Sequence, residues 1–152
     1  MMTEISTLNL LLAEDDLEDQ MLVRRAFEVA KIDHNLVIVN DGEELLDCLQ
    51  RRAPYEDVRL PDLILLDLNM PKKSGRECIE EIKADKRQRR IPIVVLTSSY
   101  AGEDIVHSYD NGASSYIRKP VTFNQLVEVV KAIGGYWFSI VELPEGAQGE
   151  NP

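Results

Sequence analysis

Short apolar runs and amphipathic helical patterns alternate along this 152-residue chain. Leu8–Ala13 is apolar except for Asn9 and reads as a buried strand. Val23, Ala26, Phe27 and Ala30 then recur at helical spacing and mark one buried face. Leu36–Val39, short and rich in β-branched residues, reads as a second strand, broken by Asp41-Gly42 before a helix with the stripe Leu45, Leu46 and Leu49. Leu63–Leu66 is the third strand, Pro71 and Gly75 punctuate the loop after it, and Cys78, Ile79 and Ile82 form the inner face of the next helix. Ile93–Leu96 is the fourth strand, entered through Pro92. A less apolar helix follows, carrying Ile105, Val106 and Tyr109, with Asn111-Gly112 as its C-terminal stop. Ser115–Ile117 is a brief fifth strand. The last helix carries Phe123, Leu126, Val127 and Val130 and is expected to run toward Trp137. The stretch Arg51–Pro61 is a long loop.

Five βα units in succession predict an α/β fold, a parallel sheet with helices on both faces. Crossovers in such sheets are right-handed, and sites form beyond the carboxyl ends of the strands. That rule carries Glu14-Asp15, Asp67, Thr97 and Lys119 to one edge, although the sequence scatters them. Carboxylates, a hydroxyl and an ammonium at strand tips are the parts needed to hold a divalent cation beside a phosphoryl group.

Composition narrows the picture. With 27 acidic and 17 basic residues the formal charge is −10, which argues against an extended nucleic-acid surface and so against direct DNA binding. The basic cluster Lys86-Arg87-Gln88-Arg89-Arg90 reads as a solvated connecting loop, with contact to an acidic partner as the alternative. No apolar run approaches the roughly 20 residues that cross a bilayer. Met1 to Ser6 lacks the basic and apolar regions of a secretory signal, so a cytoplasmic protein without a membrane anchor is expected. Cys48 and Cys78 lie in helical patterns and read as buried thiols rather than a disulfide or metal pair. His34 and His107 fall outside the pattern and are read as surface or loop residues.

The stretches LLLAEDD, LILLDLNMPKKSG, IPIVVLTSS and GASSYIRKP, in this order and at these separations, resemble the receiver domain of two-component response regulators. The resemblance runs from about Ile5 to Trp137. It implies a doubly wound, flavodoxin-like five-stranded sheet of order 2-1-3-4-5, with residues 5–138 as the receiver and 139–152 as an extension, partly disordered or in a dimer contact. It implies that Asp67 accepts a phosphoryl group from a histidine kinase. A Mg²⁺ ion would be held by Asp15, Asp67 and the backbone carbonyl of Asn69, with Glu14 acting directly or through water. Lys119 would pair with Asp67 at rest and with the phosphoryl group afterwards. Thr97 would bond the phosphoryl oxygen, and Tyr116 would rotate into the space it vacates, unless Tyr116 is a half-buried aromatic without a switching role. Ser98 would leave the group accessible, and Asn69 and Ser99 match positions that tune its hydrolysis. The family pattern also places a cis bond at Lys119-Pro120. Such a protein is a signalling switch rather than an enzyme, with autophosphorylation and autodephosphorylation as its own chemistry.

Two rival functions stay open at this stage. A small-molecule phosphohydrolase or phosphotransferase would share the Asp nucleophile and Mg²⁺, but typically places a second acid where this chain has Asn69. A nucleotide or flavin module would need a glycine-rich phosphate loop where Glu14-Asp15-Asp16 stands. The chain ends soon after the fifth unit, so the output is expected to be a surface presented to another, unnamed downstream protein or a competing drain on kinase phosphate. The wording LPDLILLDLNMPKKSGRE and the closing YWFSIVELP resemble regulators paired with phytochrome-type histidine kinases. In that group the segment after the last helix often joins dimer contacts. Val129, Ile133, Tyr136 and Ile140 put apolar residues on more than one face of the last helix, which suggests a homodimer surface or a tail folded back on its own core.

Overall fold

The computed structural model describes residues 7–98 and 102–135. Five strands and five helices alternate: β1 (Leu8–Ala13), α1 (Leu17–Val29), β2 (His34–Val39), α2 (Gly42–Leu49), β3 (Leu63–Leu66), α3 (Gly75–Ala84), β4 (Ile93–Thr97), α4 (Gly102–Asp110), β5 (Ser115–Arg118) and α5 (Phe123–Gly135). All strand pairs are parallel, in the order β2-β1-β3-β4-β5. The strands that read as continuous apolar runs are those covered on both faces. Leu11, Ala13, Ile64, Leu66 and Val95 pack under α2 and α3, while Leu10, Leu12, Leu63, Leu65 and Leu96 pack under α1 and α5.

Each of the first three helices opens on a polar cap just beyond a strand tip. Asp16 caps α1, Asp41 caps α2, and Ser74 caps α3 in a reciprocal box with Glu77. Side-chain acceptors satisfy first-turn N–H groups that would otherwise lack partners, so the helices start at defined positions above the sheet edge. Gly112, at φ +103°, ends the turn after α4, as the Asn111-Gly112 pair predicts. Cys48 and Cys78 are buried free thiols, and burial pushes their pKa values up to about 11 and about 12.

Several expectations need correction. β2 starts at His34 rather than Leu36, because His34 and Asn35 continue the ladder opposite Leu8 and Asn9. The loop 51–61 places Tyr55, Val58 and Leu60 against the core. In the basic cluster, Gln88 is buried within a turn otherwise open to solvent. Ile105, Val106 and Tyr109 of α4 face solvent, and the residues that α4 buries are Asp104 and Ser108. Ile133 is buried and Val129 packs on the same core, so neither offers a second apolar face. Tyr136, Trp137, Ile140 and residues 139–152 lie outside the described residues. Among the described residues the cis X–Pro bond is Ala53-Pro54, not Lys119-Pro120. The backbone N–H of Lys119 donates to the Thr97 carbonyl (2.8 Å), so strand register beside β4 places this lysine at the edge.

Candidate functional site

The carboxyl edge of the sheet brings together the residues that the sequence scatters. Glu14 follows β1 directly, its N–H donating to the Val39 carbonyl (3.1 Å). Gln20 Nε2 reaches back from α1 to the Glu14 carbonyl (2.6 Å) and to Asn40 Oδ1 (2.7 Å), tying the β1–α1 turn to the end of β2. Asp67 follows β3, its N–H bonded to the Ala13 carbonyl (3.0 Å). The start of α3 passes directly beneath it: a Cβ on Gly75 would stand 2.5 Å from the Asp67 carbonyl oxygen, so only glycine fits there.

Asp67 is buried, and its two carboxylate oxygens are distinguished by their partners. Oδ1 accepts from the Thr97 hydroxyl (2.7 Å) and from the Asn69 N–H (3.2 Å). Oδ2 accepts from Lys119 Nζ (3.1 Å). The same ammonium meets Glu14 Oε1 at 2.7 Å and Asp19 Oδ2 at 2.8 Å. Asp15 lies exposed at the mouth, and Glu14, Asp15 and Asp67 each place a carboxylate oxygen within 4.8 Å of the others.

The electrostatics follow from this crowding. Burial raises the Glu14 carboxyl to about 7, with the Asp67 charge adding to it, although the Lys119 ammonium and the Asp16 N–H pull the other way. Burial alone would lower the Lys119 pKa. Its hydrogen bonds to Asp19 and Glu14 and the charge of Asp67 outweigh that and hold it above the ordinary lysine value. A compact trio of hard oxygen donors suits a divalent cation.

Of the remaining expected residues, Tyr116 is half-buried near the start of β5, opposite Val95, and its N–H donates to the Tyr109 hydroxyl (3.1 Å). Asn69 and Ser98 are exposed around the mouth, and Ser99 lies outside the described residues. His34 packs at a tilt against Phe27 and His107 pairs with Glu80, outside the cluster of site residues. Sequence reasoning missed Asp19, Gln20 and the clearance role of Gly75. The signal for the first two was their position three and four residues after the Asp16 cap, where the first helical turn looks back at the strand tip. It also missed Arg76, whose Nε and Nη2 donate to the two oxygens of Asp104 (2.7 and 3.2 Å) and join α3 to α4 beside the site.

An all-parallel sheet of this order, with acids, a hydroxyl and an ammonium gathered at its carboxyl edge, is the architecture of a phosphorelay receiver. A family model for the response regulator receiver domain matches residues 10–131, and the chain belongs to that family. Among individual proteins it is similar to response regulator Rcp1 of Synechocystis sp. (strain ATCC 27184 / PCC 6803 / Kazusa), at 41% identity over 135 residues, covering 89% of this chain and 92% of Rcp1. The Mn²⁺-bound structure of Rcp1 superposes with a TM-score of 0.83 at 40% identity, covering 90% of this chain and 99% of that one. The phosphorylated cyanobacterial phytochrome response regulator RcpA gives 0.86 at 42% identity, with 91% and 99% covered. The bacteriophytochrome response regulator RtBRR gives 0.74 at 36% identity, with 95% and 88% covered.

Proposed function

We propose that this receiver accepts a phosphoryl group on Asp67 from a phytochrome-type histidine kinase and answers by changing the surface around α4 and β5. The observation that carries the reading is the position of Asp67. Among the described residues its carboxylate meets both Thr97 and Lys119 while belonging to the acidic trio. Glu14, Asp15 and Asp67, with the Asn69 carbonyl, are the residues we assign to Mg²⁺. When bound, Mg²⁺ supplies positive charge that offsets repulsion between an anionic nucleophile and an anionic donor.

This chain's own residues do the rest. In the transfer, a carboxylate oxygen of Asp67 forms a bond to phosphorus as the bond from phosphorus to the donor atom breaks, giving an aspartyl phosphate and the free donor. Thr97 and the Asn69 N–H fix one carboxylate oxygen before the donor arrives. Lys119 turns a donor from a carboxylate to the new phosphoryl oxygens. Thr97 follows the same charge. Its withdrawal from the Asp67 oxygen leaves room beside Tyr116, whose backbone is tied to Tyr109 on α4. A local charge change thereby biases a neighbouring helix.

The phytochrome link rests on what RcpA and RtBRR are: response regulators of a cyanobacterial phytochrome and of a bacteriophytochrome. Exposed Leu17, Met21 and Val121, on α1 and after β5, supply an apolar margin for a docking protein. The small-molecule phosphohydrolase reading loses its main support, since Asn69 faces the mouth as an amide and family membership favours the switch. Incubation with acetyl phosphate and Mg²⁺ tests the assignment. A gain of about 80 Da, one phosphoryl group, is expected in the intact protein and absent in Asp67→Ala. An unchanged wild-type mass with every donor tried, including a phytochrome-type kinase, overturns it.

A further inference from the structure

We propose that Asp19 is a positioning residue for phosphotransfer, holding the Lys119 ammonium above Asp67 from the first turn of α1. The inference rests on Asp67 and Lys119 having the roles given above. An ammonium has three N–H donors, and three carboxylates meet this one: Glu14 at 2.7 Å, Asp19 at 2.8 Å and Asp67 at 3.1 Å. Two of those acceptors have other work in the same site. Glu14 and Asp67 belong to the trio able to hold a cation, and Asp67 is also the atom group that gains phosphorus. Asp19 belongs to neither task, so it is the acceptor that Lys119 keeps while its other donors are reassigned.

The local structure fixes Asp19 for this. The Asp16 side chain caps α1 by accepting from the Asp19 N–H (3.1 Å), and the Asp16 N–H in turn donates to Glu14 Oε2 (3.0 Å). One short chain of hydrogen bonds thus links the site acid, the helix cap and the tether. An exposed ion pair contributes little to stability, and the Asp19 side chain is 34% exposed. Its effect is geometric. Without an acceptor on α1, the ammonium has, among the described residues, Glu14 and Asp67 to settle on, the oxygens that a cation and a phosphoryl donor need. With it, Lys119 stays at the edge of the site and a small rotation delivers a donor to the phosphoryl oxygen.

The test compares acetyl phosphate kinetics at saturating Mg²⁺, over a range of donor concentrations, for wild type, Asp19→Ala, Asp19→Asn, Lys119→Ala and Asp19→Ala combined with Lys119→Ala. Mn²⁺ binding is followed separately by its electron paramagnetic resonance signal. We expect Asp19→Ala to lower the maximal rate about tenfold. Asp19→Asn, which keeps an acceptor without the charge, should fall between, with Mn²⁺ affinity changed by less than about threefold. In the Lys119→Ala background the loss of Asp19 should cost nothing more, because it acts through the lysine. An Asp19→Ala rate equal to wild type overturns the proposal. So does a loss that multiplies with that of Lys119→Ala, or one confined to metal affinity. A wild type that takes up no phosphoryl group fails the functional reading and this inference together. Normal wild-type uptake with an unimpaired Asp19→Ala fails this inference alone.

Discussion

The Thr97 hydroxyl donates to Asp67 Oδ1 at 2.7 Å from a position fully shielded from solvent. Two strand tips 30 residues apart in sequence are therefore joined before any ligand arrives. Thr97→Val keeps the shape and removes the donor, leaving a buried carboxylate oxygen with the Asn69 N–H. The expected loss is about 1–3 kcal/mol in urea unfolding without metal, and Thr97→Ser, which retains the hydroxyl, should lose less. Equal losses for both would show that packing, not the hydrogen bond, holds Thr97 in place.

Metal should stabilise the fold, because crowded carboxylates favour a bound cation only when folded. At a concentration one hundred times the dissociation constant the gain is about 2.7 kcal/mol, visible as a rise in Tm. Asp15→Asn should weaken that response while raising the metal-free Tm slightly, since Asp15 is exposed and its repulsion is screened. A melting curve indifferent to millimolar Mg²⁺ would count against the trio.

Glu14 sets a pH dependence. Burial holds its carboxyl at about 7 in the fold, whereas the unfolded chain releases that proton near the ordinary glutamate value. Between those two points the folded state binds more protons, so metal-free stability falls as pH rises, by on the order of 3 kcal/mol at most. Above about 7 this contribution is flat. Metal affinity runs the opposite way and climbs across the same window, because the proton must leave Glu14. Glu14→Gln should remove most of this slope, leaving the smaller share of the buried Asp62, as read by urea titrations at pH 5, 6 and 7 (about one unit apart to resolve the slope).

Gly75→Ala should be costly, since the added carbon meets backbone at the Asp67 carbonyl rather than a side chain able to yield. A loss of about 1–3 kcal/mol is expected, together with slower uptake of phosphate, because the displaced segment carries Asp67 itself. Stability and uptake unaffected together would contradict the close approach.

Arg76→Ala removes the forked pairing with Asp104 and leaves a carboxylate mostly shielded from water. Because the guanidinium is about one-third exposed, the expected loss is only about 1–2 kcal/mol. Hydrogen exchange should localise it, with amides of Gly102–Asp110 exchanging faster and those of α1 unchanged.

What the sequence made legible follows from where side chains are shielded. Strands covered on both faces announce themselves as apolar runs, and Leu8–Ala13 and Leu63–Leu66 coincide with the observed β1 and β3. Strand β2 has a mixed pattern of exposure, so its first two residues, His34 and Asn35, carry no apolar signal. The acids, Thr97 and Lys119 were readable because strand tips must converge in this topology. Asp19 was not, since its role depends on helical phase after a cap and on a lysine one hundred residues away. Arg76–Asp104 is equally a pairing across distant segments. The cis geometry expected at Lys119-Pro120 was carried over from the family pattern, and the fold here delivers the lysine by register with Thr97 instead.

Helix α4 turns its aliphatic side chains outward and rests on Asp104 and Ser108. An element seated on polar groups can slide or tilt without opening a void among hydrocarbon, because water replaces a broken ion pair far more readily than it fills an oily gap. Among its described contacts are the guanidinium fork of Arg76 on Asp104 and the Tyr109 hydroxyl on the Tyr116 N–H. On the proposed function, a tilt of α4 would therefore carry the signal while the two buried hydrophobic clusters stay shut.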